Sequence, residues 1–494
     1  MPSKIFNRIL FKYSLAAVLI TVPLYPKFPL ISIPGTYVSI RLEDILIAVI
    51  STILLFVLIS KKTSRIPGET IGRQILIYLC IGLLSLASAI LITHSIVPHI
   101  GILHWLRRIE YVSVFFVAAF FLKDEKDVPF FYEVLFWVVL TVTLYGFGQR
   151  FLGFPVISTQ NQEFAKGLVL TLTPGARLNS TFAGHYDLAA FSVLIIPVFI
   201  SLWLAPLSRR YKFMGLAGFF LSYWLLLASA SRISFPSYLL SSSLTLFLLN
   251  RKKTIPILLI FSFLTVSGSS ELTARYTRTA NIYLSRLFPQ VNLSLLNKLT
   301  AYLKKPGKSP TEPAYQLPII TPPPVSIPTS AAISPPSPTP TVFKKAKVKI
   351  RHAPTPYQAP VIIEERSTEI RLNAEWPRAI RAFKKNPFLG TGFSSITLAT
   401  DNDYLRMLGE TGILGTLSFL LIFMAIFKSS MRILNFDSSS PRRIFAIGLT
   451  GSAVGLLINS TFIDVMEASK VAIPFWLLMG ILASLTNVSV KANK

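Results

Sequence analysis

Cysteine is nearly absent from this sequence, and acidic residues are scarce. Cys80 is the only cysteine in 494 residues, which excludes a disulfide within the chain and a thiolate metal site. It falls inside an apolar run, where we expect a small buried residue. The chain carries 22 Asp or Glu against 49 Lys or Arg, and no polar block before residue 270 is long enough to form a separate soluble domain. This composition is typical of membrane proteins.

Sequence signatures of nucleotide and metal sites are also missing. The chain has no P-loop, no Gly-x-Gly-x-x-Gly turn, no His-Glu-x-x-His pair and no Cys/His metal spacing. These absences narrow the possible reactions, and no cofactor is predicted. Acidic residues within apolar runs are few, with Glu110 and Asp464 the main candidates, so an ion-coupled pump is disfavoured.

Long apolar runs recur along almost the whole chain and predict an all-α integral membrane protein with about 12 transmembrane helices. The first run follows Lys4, Arg8 and Lys12 without a small-residue cleavage site, which favours a membrane anchor over a signal peptide. The predicted spans are 13–33, 43–60, 75–95, 101–122, 130–148, 186–205, 213–231, 233–249, 255–269, 410–427, 443–461 and 471–488.

Basic residues in the short loops predict the orientation in the membrane. Lys and Arg in such loops stay on the cytoplasmic side, and every basic cluster follows an even-numbered span. Both termini are then cytoplasmic, and 149–185, 270–409 and 462–470 lie outside. The clusters are Lys61–Lys62–Arg65, Lys123–Lys126, Arg209–Arg210–Lys212, Arg251–Lys252–Lys253, Lys428–Arg432 and Arg442–Arg443, with Lys491–Lys494 at the C-terminus.

The predicted organisation is a membrane domain with helices 1–9 at 1–269, a large outer loop at 270–409, and helices 10–12 at 410–494. Residues 304–362 hold 15 of the 34 prolines, which predicts an extended, disordered insertion or a tether to a wall layer. Residues 369–385 have helical spacing of apolar side chains with arginines between them, which predicts an amphipathic helix starting or kinking at Pro377.

The net charge of +27 does not indicate nucleic acid in this setting. Basic cytoplasmic loops facing anionic lipid account for most of it. The outer loop differs, because residues 270–408 hold 19 Lys or Arg against 8 Asp or Glu. Orientation alone does not require this excess, which is consistent with an anionic substrate on that face.

Two groups of polar residues lie at the predicted outer ends of helices before the large loop. Arg232 follows Ser229–Ala230–Ser231, and small neighbours would let a phosphate approach its guanidinium, although the side chain could instead extend to lipid headgroups. Arg177, His185 and Asp187 cluster at the start of the sixth span, where Asp187 could alternatively cap the helix.

Two further groups lie in the large loop. Arg371 and Trp376 belong to the predicted amphipathic helix and are candidates for a functional role. The alternative is a purely interfacial helix whose arginines extend to the lipid headgroups. The segment from Asp401 to Leu405 fits a helix N-terminus, and a carboxylate facing an arginine-lined cavity could also act as a general base.

Together these motifs resemble the O-antigen ligase and O-antigen polymerase superfamily of bacterial membrane glycosyltransferases. The matching motifs lie within roughly 170–420, and the rest of the chain resembles the superfamily in topology only. The matching stretches are Arg177–Asp187 (RLNSTFAGHYD), Ala228–Arg232 (ASASR), Arg371 with Trp376 and Asn386–Gly392 (NPFLGTG), and Asp401–Leu405 (DNDYL) with Glu410–Gly415 (ETGILG).

The resemblance implies a metal-independent transfer of a glycan from an undecaprenyl-diphosphate carrier to an acceptor hydroxyl on the outer face of a bacterial cytoplasmic membrane. Arg232 and Arg371 would bind the diphosphate. Asp401 stands where the ligase branch has a histidine and would act as the base of an inverting reaction. This departure favours a polymerase over a ligase. The supporting substrate-binding residues would be Arg177, His185, Asp187, Arg378, Asn402 and Tyr404.

Two other function classes stay open. A transporter or flippase of lipid-linked glycans would share the basic cavity, with its functional charges at mid-membrane. A cell-wall-anchoring protein would act through the Pro-rich segment and would not need Arg232 or Asp401.

Overall fold

The computed structural model defines most of the chain outside the large loop. It describes residues 2–26, 30–32, 39–60, 66–122, 124–156, 170–172, 176–269, 272–273, 275–277, 370–396 and 399–492. The Pro-rich insertion predicted at 304–362 lies outside these residues, as do the predicted basic positions Lys61–Arg65 and Lys123. The side chains of Lys4, Arg8 and Lys491–Lys494 also lie outside the described set.

The described part is helical apart from two antiparallel pairs of very short strands, which confirms the predicted all-α membrane class. The strands are β1 (Ile31–Ser32) paired with β2 (Ser39–Ile40), and β3 (Pro155–Val156) paired with β4 (Leu170–Thr171). The helices are α1 (Pro2–Leu24), α2 (Leu42–Ser60), α3 (Glu69–Leu91), α4 (Pro98–Phe121), α5 (Val128–Phe151), α6 (His185–Leu204), α7 (Arg209–Ser229), α8 (Ser234–Leu248), α9 (Ile255–Gly268), α10 (Trp376–Lys385), α11 (Asp403–Ile433), α12 (Pro441–Asn459) and α13 (Ser469–Ala492).

Each predicted span overlaps one of these helices, and α10 matches the predicted amphipathic loop helix. In the described part, eight helices are long and apolar enough to cross a membrane: α2, α3, α5, α6, α7, α11, α12 and α13. Among the others, α8 and α9 have only 15 and 14 residues, and α4 carries Arg107, Arg108 and Glu110. The protein is therefore a multi-pass membrane protein, and the count of twelve crossings stays a prediction.

Helix starts follow local sequence chemistry. Proline occupies the first turn of α4, α5, α9, α10 and α12, where its missing N–H costs no helical hydrogen bond. At α2, the backbone N–H of Arg41 donates to Asp44 at 2.9 Å, which is the reciprocal half of a capping box. Pro377 thus marks a helix start, as its position in the sequence predicts.

Two helices form the centre of the bundle. Of the residues in the membrane-length segments of α6 and α13, 83% and 100% are buried, against 28% in α2. α6 packs against α7 and α12, while α13 packs against α4. The outer helices expose large apolar side chains such as Phe56 and Phe263, each 70% exposed, as expected of surfaces that face lipid acyl chains.

Contacts between helix ends divide the bundle into two opposite ends. At one end Lys12 pairs with Asp127 at 3.1 Å, and Arg210 pairs with Glu133 at 3.0 Å. Arg442 lies at this end as well and pairs with Glu125 at 3.4 Å. We call it the basic end.

The other end, which we call the motif end, holds the Arg177–Gly184 connection, the last turn of α7 and the first turns of α6 and α11. The N–H of Leu178 donates to the carbonyl of Ala228 at 3.0 Å, and the N–H of Asp403 donates to Ser460 at 2.9 Å. The arrangement agrees with the predicted alternation of helix direction. Which compartment each end faces stays a prediction.

The structure corrects three sequence-based expectations. Cys80 is exposed on the outer face of α3 and is not a core residue. The first helix ends at Leu24 and does not extend to 33. The tenth predicted span begins at Asp403 and not at 410, because the side chain of Asn402 accepts a hydrogen bond from the N–H of Leu405 and so caps the helix earlier. The outer loop therefore ends at residue 402 and not at the predicted residue 409.

Candidate functional site

A kink in α11 joins the two motifs of the large loop. Gly412 has φ 67° and ψ −167°, which breaks the helix and frees backbone groups on both sides. The turn at 387–392 fills the break. The N–H groups of Thr391 and Gly392 donate to the carbonyls of Gly409 and Glu410 at 3.0 and 2.8 Å. The N–H of Ile413 donates back to the carbonyl of Pro387 at 2.9 Å, so helix and turn satisfy each other's backbone.

Glycine is required at both sides of this junction. Gly390 and Gly412 each have φ 67°, a left-handed conformation that side chains disfavour. A Cβ on Gly412 would lie 2.3 Å from the carbonyl oxygen of Phe388, and one on Gly390 would lie 2.4 Å from the backbone of Glu410. The glycines of the NPFLGTG and ETG stretches therefore serve close backbone contact.

The junction brings Arg371 to Asp401. Arg371 opens a π turn, Arg371–Glu375, that leads into α10. Its Nε and Nη2 both donate to Oδ2 of Asp401, at 3.0 and 2.7 Å. Arg371 is 7% exposed, whereas Asp401 is half-buried and has φ 50°, uncommon for a non-glycine residue. Two predicted catalytic residues, 30 positions apart in the chain, thus form one ion pair.

Burial and pairing act in opposite directions on this carboxylate. Burial raises the pKa of Asp401 above its ordinary value, while the Arg371 guanidinium lowers it by a smaller amount. Burial lowers the pKa of the Arg371 guanidinium, but Asp401 and Tyr186 together raise it by more, so Arg371 stays charged. An aspartate with a raised pKa is a stronger base than an exposed one, provided that Arg371 releases it.

Residues after Asp401 anchor the start of α11 to the connection between α12 and α13. Asp464 accepts the N–H groups of Thr400 and Asn402 at 2.9 and 3.0 Å. The Asn402 amide donates to the carbonyl of Thr461 at 3.0 Å, and the Tyr404 hydroxyl donates to that of Leu457 at 2.7 Å. The two predicted substrate-binding residues Asn402 and Tyr404 are thus engaged in structural hydrogen bonds that fix the position of Asp401.

The Arg177–Gly184 connection is a buried polar hub. Ser180, with φ 49°, donates to the carbonyl of Val142 at 2.6 Å, and its own carbonyl accepts from Gln149 at 3.0 Å. Thr181 donates to the carbonyl of Pro23 at 2.7 Å, and Lys470 donates to the carbonyl of Thr181. The connection therefore ties α1, α5 and α13 together at the motif end.

The next residues bring this hub to Arg371. Tyr186 lies close enough to Arg371 to act electrostatically on its side chain. Arg177 hydrogen-bonds to His185 and lies 5.9 Å from the ring of Tyr186, and the charge of Arg275 acts on the same imidazole. We call Arg177, His185, Tyr186, Arg275 and Arg371 the arginine cluster. It holds three guanidinium groups, and one of them, that of Arg371, pairs with the carboxylate of Asp401.

Arg232 lies in a break between α7 and α8. Ala230 adopts φ 49° and ends α7, and Ser231 bonds to Ser234, which donates to Asn459 at 3.1 Å. The Tyr276 hydroxyl donates to the carbonyl of Arg232 at 2.8 Å. Burial raises the pKa of Tyr276 to about 12, so it stays a neutral donor. The segment carrying Arg275 and Tyr276 thus connects Arg232 to the arginine cluster.

Two further predicted residues lie beside these groups. Asp187 is half-buried in the first turn of α6, three residues after the N-cap residue Gly184, so capping of this helix by Asp187 stays an open alternative. Arg378 lies on α10, and its Nη1 is buried without a hydrogen-bond partner among the described residues. α10 packs closely on α11, where a Cβ added to Gly409 would lie 2.9 Å from the carbonyl of Ala379.

Sequence analysis missed a buried acid–base network behind the site. Arg406 pairs with Asp464 at 3.0 Å and with Glu410 at 3.6 Å, and Arg108 pairs with Glu467 and donates to the carbonyl of Met466 at 2.9 Å. The signal was present, because Arg406 and Glu410 are four residues apart on one helix and Arg108 interrupts an apolar run. This network holds the 460–468 connection against α4 and α11.

A separate cavity of about 350 Å³ lies away from these groups. Its lining is almost entirely apolar, from α6, α7, α8 and α9, and includes Trp203, Phe219 and Phe261. No charged side chain lines it, so it cannot supply the groups that polar chemistry requires.

Comparison with known proteins gives no assignment. No protein-family model matches this chain, and a search of curated proteins finds no match.

Proposed function

We propose that this protein is a membrane glycosyltransferase that moves a glycan from an undecaprenyl-diphosphate carrier to an acceptor hydroxyl. The Arg371–Asp401 ion pair within the arginine cluster is the observation that carries the proposal. It combines cations suited to a diphosphate with a carboxylate suited to a hydroxyl proton. Polymerisation of repeat units and ligation to a lipid, wall or protein acceptor are both compatible with it.

The proposed reaction is a direct displacement at the anomeric carbon of the donor sugar. The acceptor oxygen forms the new glycosidic bond while its proton passes to Asp401, and the bond from the anomeric carbon to the phosphate oxygen breaks. The bonding electrons leave with the diphosphate, and arginines bound to that group stabilise its growing charge. The anomeric configuration inverts because a single displacement occurs.

The ion pair adds a condition to this reaction. While both Arg371 N–H groups contact Asp401, the carboxylate is a weaker base than burial alone would make it. A donor diphosphate competes for the same guanidinium, and its negative charge raises the proton affinity of Asp401. Donor binding would thus activate the base, with Arg177, Arg275 and Arg232 as further phosphate partners.

The proposed location is the cytoplasmic membrane of a bacterium, with both termini cytoplasmic and the motif end outside. The basic end carries the arginines of two of the short basic clusters, Arg210 and Arg442, which supports that orientation. The lipid carrier, the acceptor and membrane lipids would be the partners.

A lipid-linked glycan transporter is the second candidate. It would be favoured by functional charges at mid-membrane, whereas Arg232, Arg371 and Asp401 lie in connections at a helix end. That position supports transfer over transport. A wall-anchoring role would act through 304–362, outside the described residues.

Complementation of cells that lack the protein tests the proposal. Wild type should restore glycan detectable by lectin on intact cells, while Arg371→Ala and Arg232→Ala should leave lipid-linked precursor accumulating at equal protein levels. Arg381→Ala is the control, because Arg381 is exposed on α10 in the same loop segment. Full complementation by both site variants would contradict the site assignment and favour the transporter.

A further inference from the structure

Three polar side chains within four residues, beside the Arg371–Asp401 pair, each have a buried atom without a hydrogen-bond partner in the described part of the chain. Oε2 of Glu375, Nε1 of Trp376 and Nη1 of Arg378 are buried, and none has a hydrogen-bond partner among the described residues. Glu375 ends the π turn, and Trp376 and Arg378 lie in the first turn of α10. The three atoms therefore belong to one short stretch of four residues.

Such a concentration points to a missing partner. A buried polar atom without a hydrogen bond loses its hydration and gains nothing in return, and native proteins contain few of them. Here one acceptor and two donors occur within a single turn. A partner that both donates and accepts hydrogen bonds would satisfy all three.

The position of this stretch ties it to the reacting groups. Arg371 and Asp401 both act electrostatically on the Glu375 carboxylate, as do Asp464 and Arg378. The ring of Trp376 lies 6.0 Å from that of Phe462, on the 460–468 connection that also fixes Asn402. The stretch thus borders the Arg371–Asp401 pair on the side of α10.

We infer that Glu375, Trp376 and Arg378, with Phe462, form a subsite for a neutral, polyhydroxylated sugar ring of the glycan. The inference rests on the proposed transferase function and names the substrate group that this part of the site would bind. Sugar hydroxyls donate to a carboxylate and accept from indole and guanidinium N–H groups, and the two aromatic rings offer an apolar surface to the C–H face of a ring.

Charge separates this subsite from the diphosphate site. The carboxyl groups of Glu375, Asp401 and Asp464 lie around it beside Arg371 and Arg378, so cations do not dominate there as they do in the arginine cluster. Arg177, in the arginine cluster, contacts His185 and Tyr186 in the first turn of α6. A glycan bound across both regions would have its phosphate at the arginine cluster and its hydroxyl-bearing ring at α10.

Calorimetric titration of the purified full chain tests the subsite without requiring turnover. The probe is the water-soluble oligosaccharide released by mild acid from the lipid-linked precursor of the same cells, which carries no diphosphate. Trp376→Phe, Glu375→Gln and Arg378→Lys should each weaken binding about ten-fold, the factor for one lost or weakened hydrogen bond. Arg381→Lys, on the exposed face of α10, should leave the affinity unchanged.

Several outcomes would overturn the inference. Wild type that does not bind the oligosaccharide, or folded variants that bind it as tightly as wild type, would mean that water satisfies these atoms. Three conservative variants guard against the misfolding of any one. Loss of transfer in Arg371→Ala with unchanged glycan binding in the three variants would leave the proposed function standing and remove the subsite. Weakened glycan binding in the three variants, together with full transfer activity in Arg371→Ala, would contradict the proposed function and support the subsite.

Discussion

Glu375 lies in the π turn next to the Arg371–Asp401 pair, and its surroundings set its protonation. Burial raises the pKa of its carboxyl from 4.5 to about 7, and Asp401 adds to the shift, while Arg371 opposes it. The folded protein therefore holds a proton on Glu375 at a pH where the unfolded chain has lost it. Stability from this proton is complete below about pH 4.5 and is lost as the pH rises through 7.

Glu375→Gln should therefore flatten the pH dependence of stability. Glutamine mimics the protonated acid at every pH, so the variant should melt at a higher temperature than wild type at pH 8 and at a similar temperature at pH 5. Thermal melts in detergent at both pH values measure this. Glu69→Gln, at an exposed glutamate of α3, is the control and should melt at the same temperature as wild type at each of the two pH values. A pH 8 melting temperature of Glu375→Gln at or below that of wild type would contradict the assignment.

Residue types and spacing predicted part of the candidate site. They singled out Arg371 and Asp401, because charged side chains next to apolar runs are costly to bury in a membrane protein. They did not predict that the two would pair directly, since the pairing depends on the kink in α11. Asn402 and Tyr404 look like substrate ligands in the sequence, but the Asn402 side-chain N–H and the Tyr404 hydroxyl donate to backbone carbonyls, and the Asn402 side-chain oxygen accepts the N–H of Leu405.

At the scale of elements, the broken helix α11 organises the motif end. Its first half carries Asp403 and Glu410, and the 387–392 turn is held in the break by paired backbone hydrogen bonds. An unbroken helix would leave the turn without partners and would separate Arg371 from Asp401. The sequence predicted a turn at Asn386–Gly392 and a helix after it, but contacts between the two are long-range and invisible to local patterns.

Gly412→Ala should destabilise the protein strongly. The added Cβ would lie 2.3 Å from the backbone oxygen of Phe388 and would force a side chain into φ 67°, with a backbone strain of about 1–3 kcal/mol in addition to the clash. We expect a melting temperature lower by several degrees and loss of glycan transfer. Gly268→Ala is the matched control, because a Cβ there meets nothing within 4 Å. Equal melting curves for the two variants would exclude the proposed role of the kink.

At the scale of the whole molecule, the sequence predicted the class and the position of nearly every helix. Apolar length and basic loops are local properties that the bilayer selects directly, which is why all twelve predicted spans overlap helices. The observed helix ends differ from the predicted ones where a capping residue sets the end, as Asn402 does for α11. The assembly of the motif end from α6, α7, α10, α11 and the 460–468 connection could not be read from local patterns, because it depends on which helices pack together.

Glycan transfer by the purified protein in liposomes tests the central proposal most directly. The donor is the undecaprenyl-diphosphate oligosaccharide from the same cells, the assay contains no nucleotide sugar, and the measured product is free undecaprenyl diphosphate together with lengthened or transferred glycan. The carrier diphosphate should be released by wild type and by Arg381→Ala. The rate should be lower by at least about 100-fold in Arg371→Ala, which removes charge stabilisation, and in Asp401→Asn, which removes general-base catalysis. Rates for Arg371→Ala and Asp401→Asn equal to that of wild type would contradict the account, as would a wild-type protein that moves the intact lipid-linked glycan across the bilayer without breaking its phosphate bond.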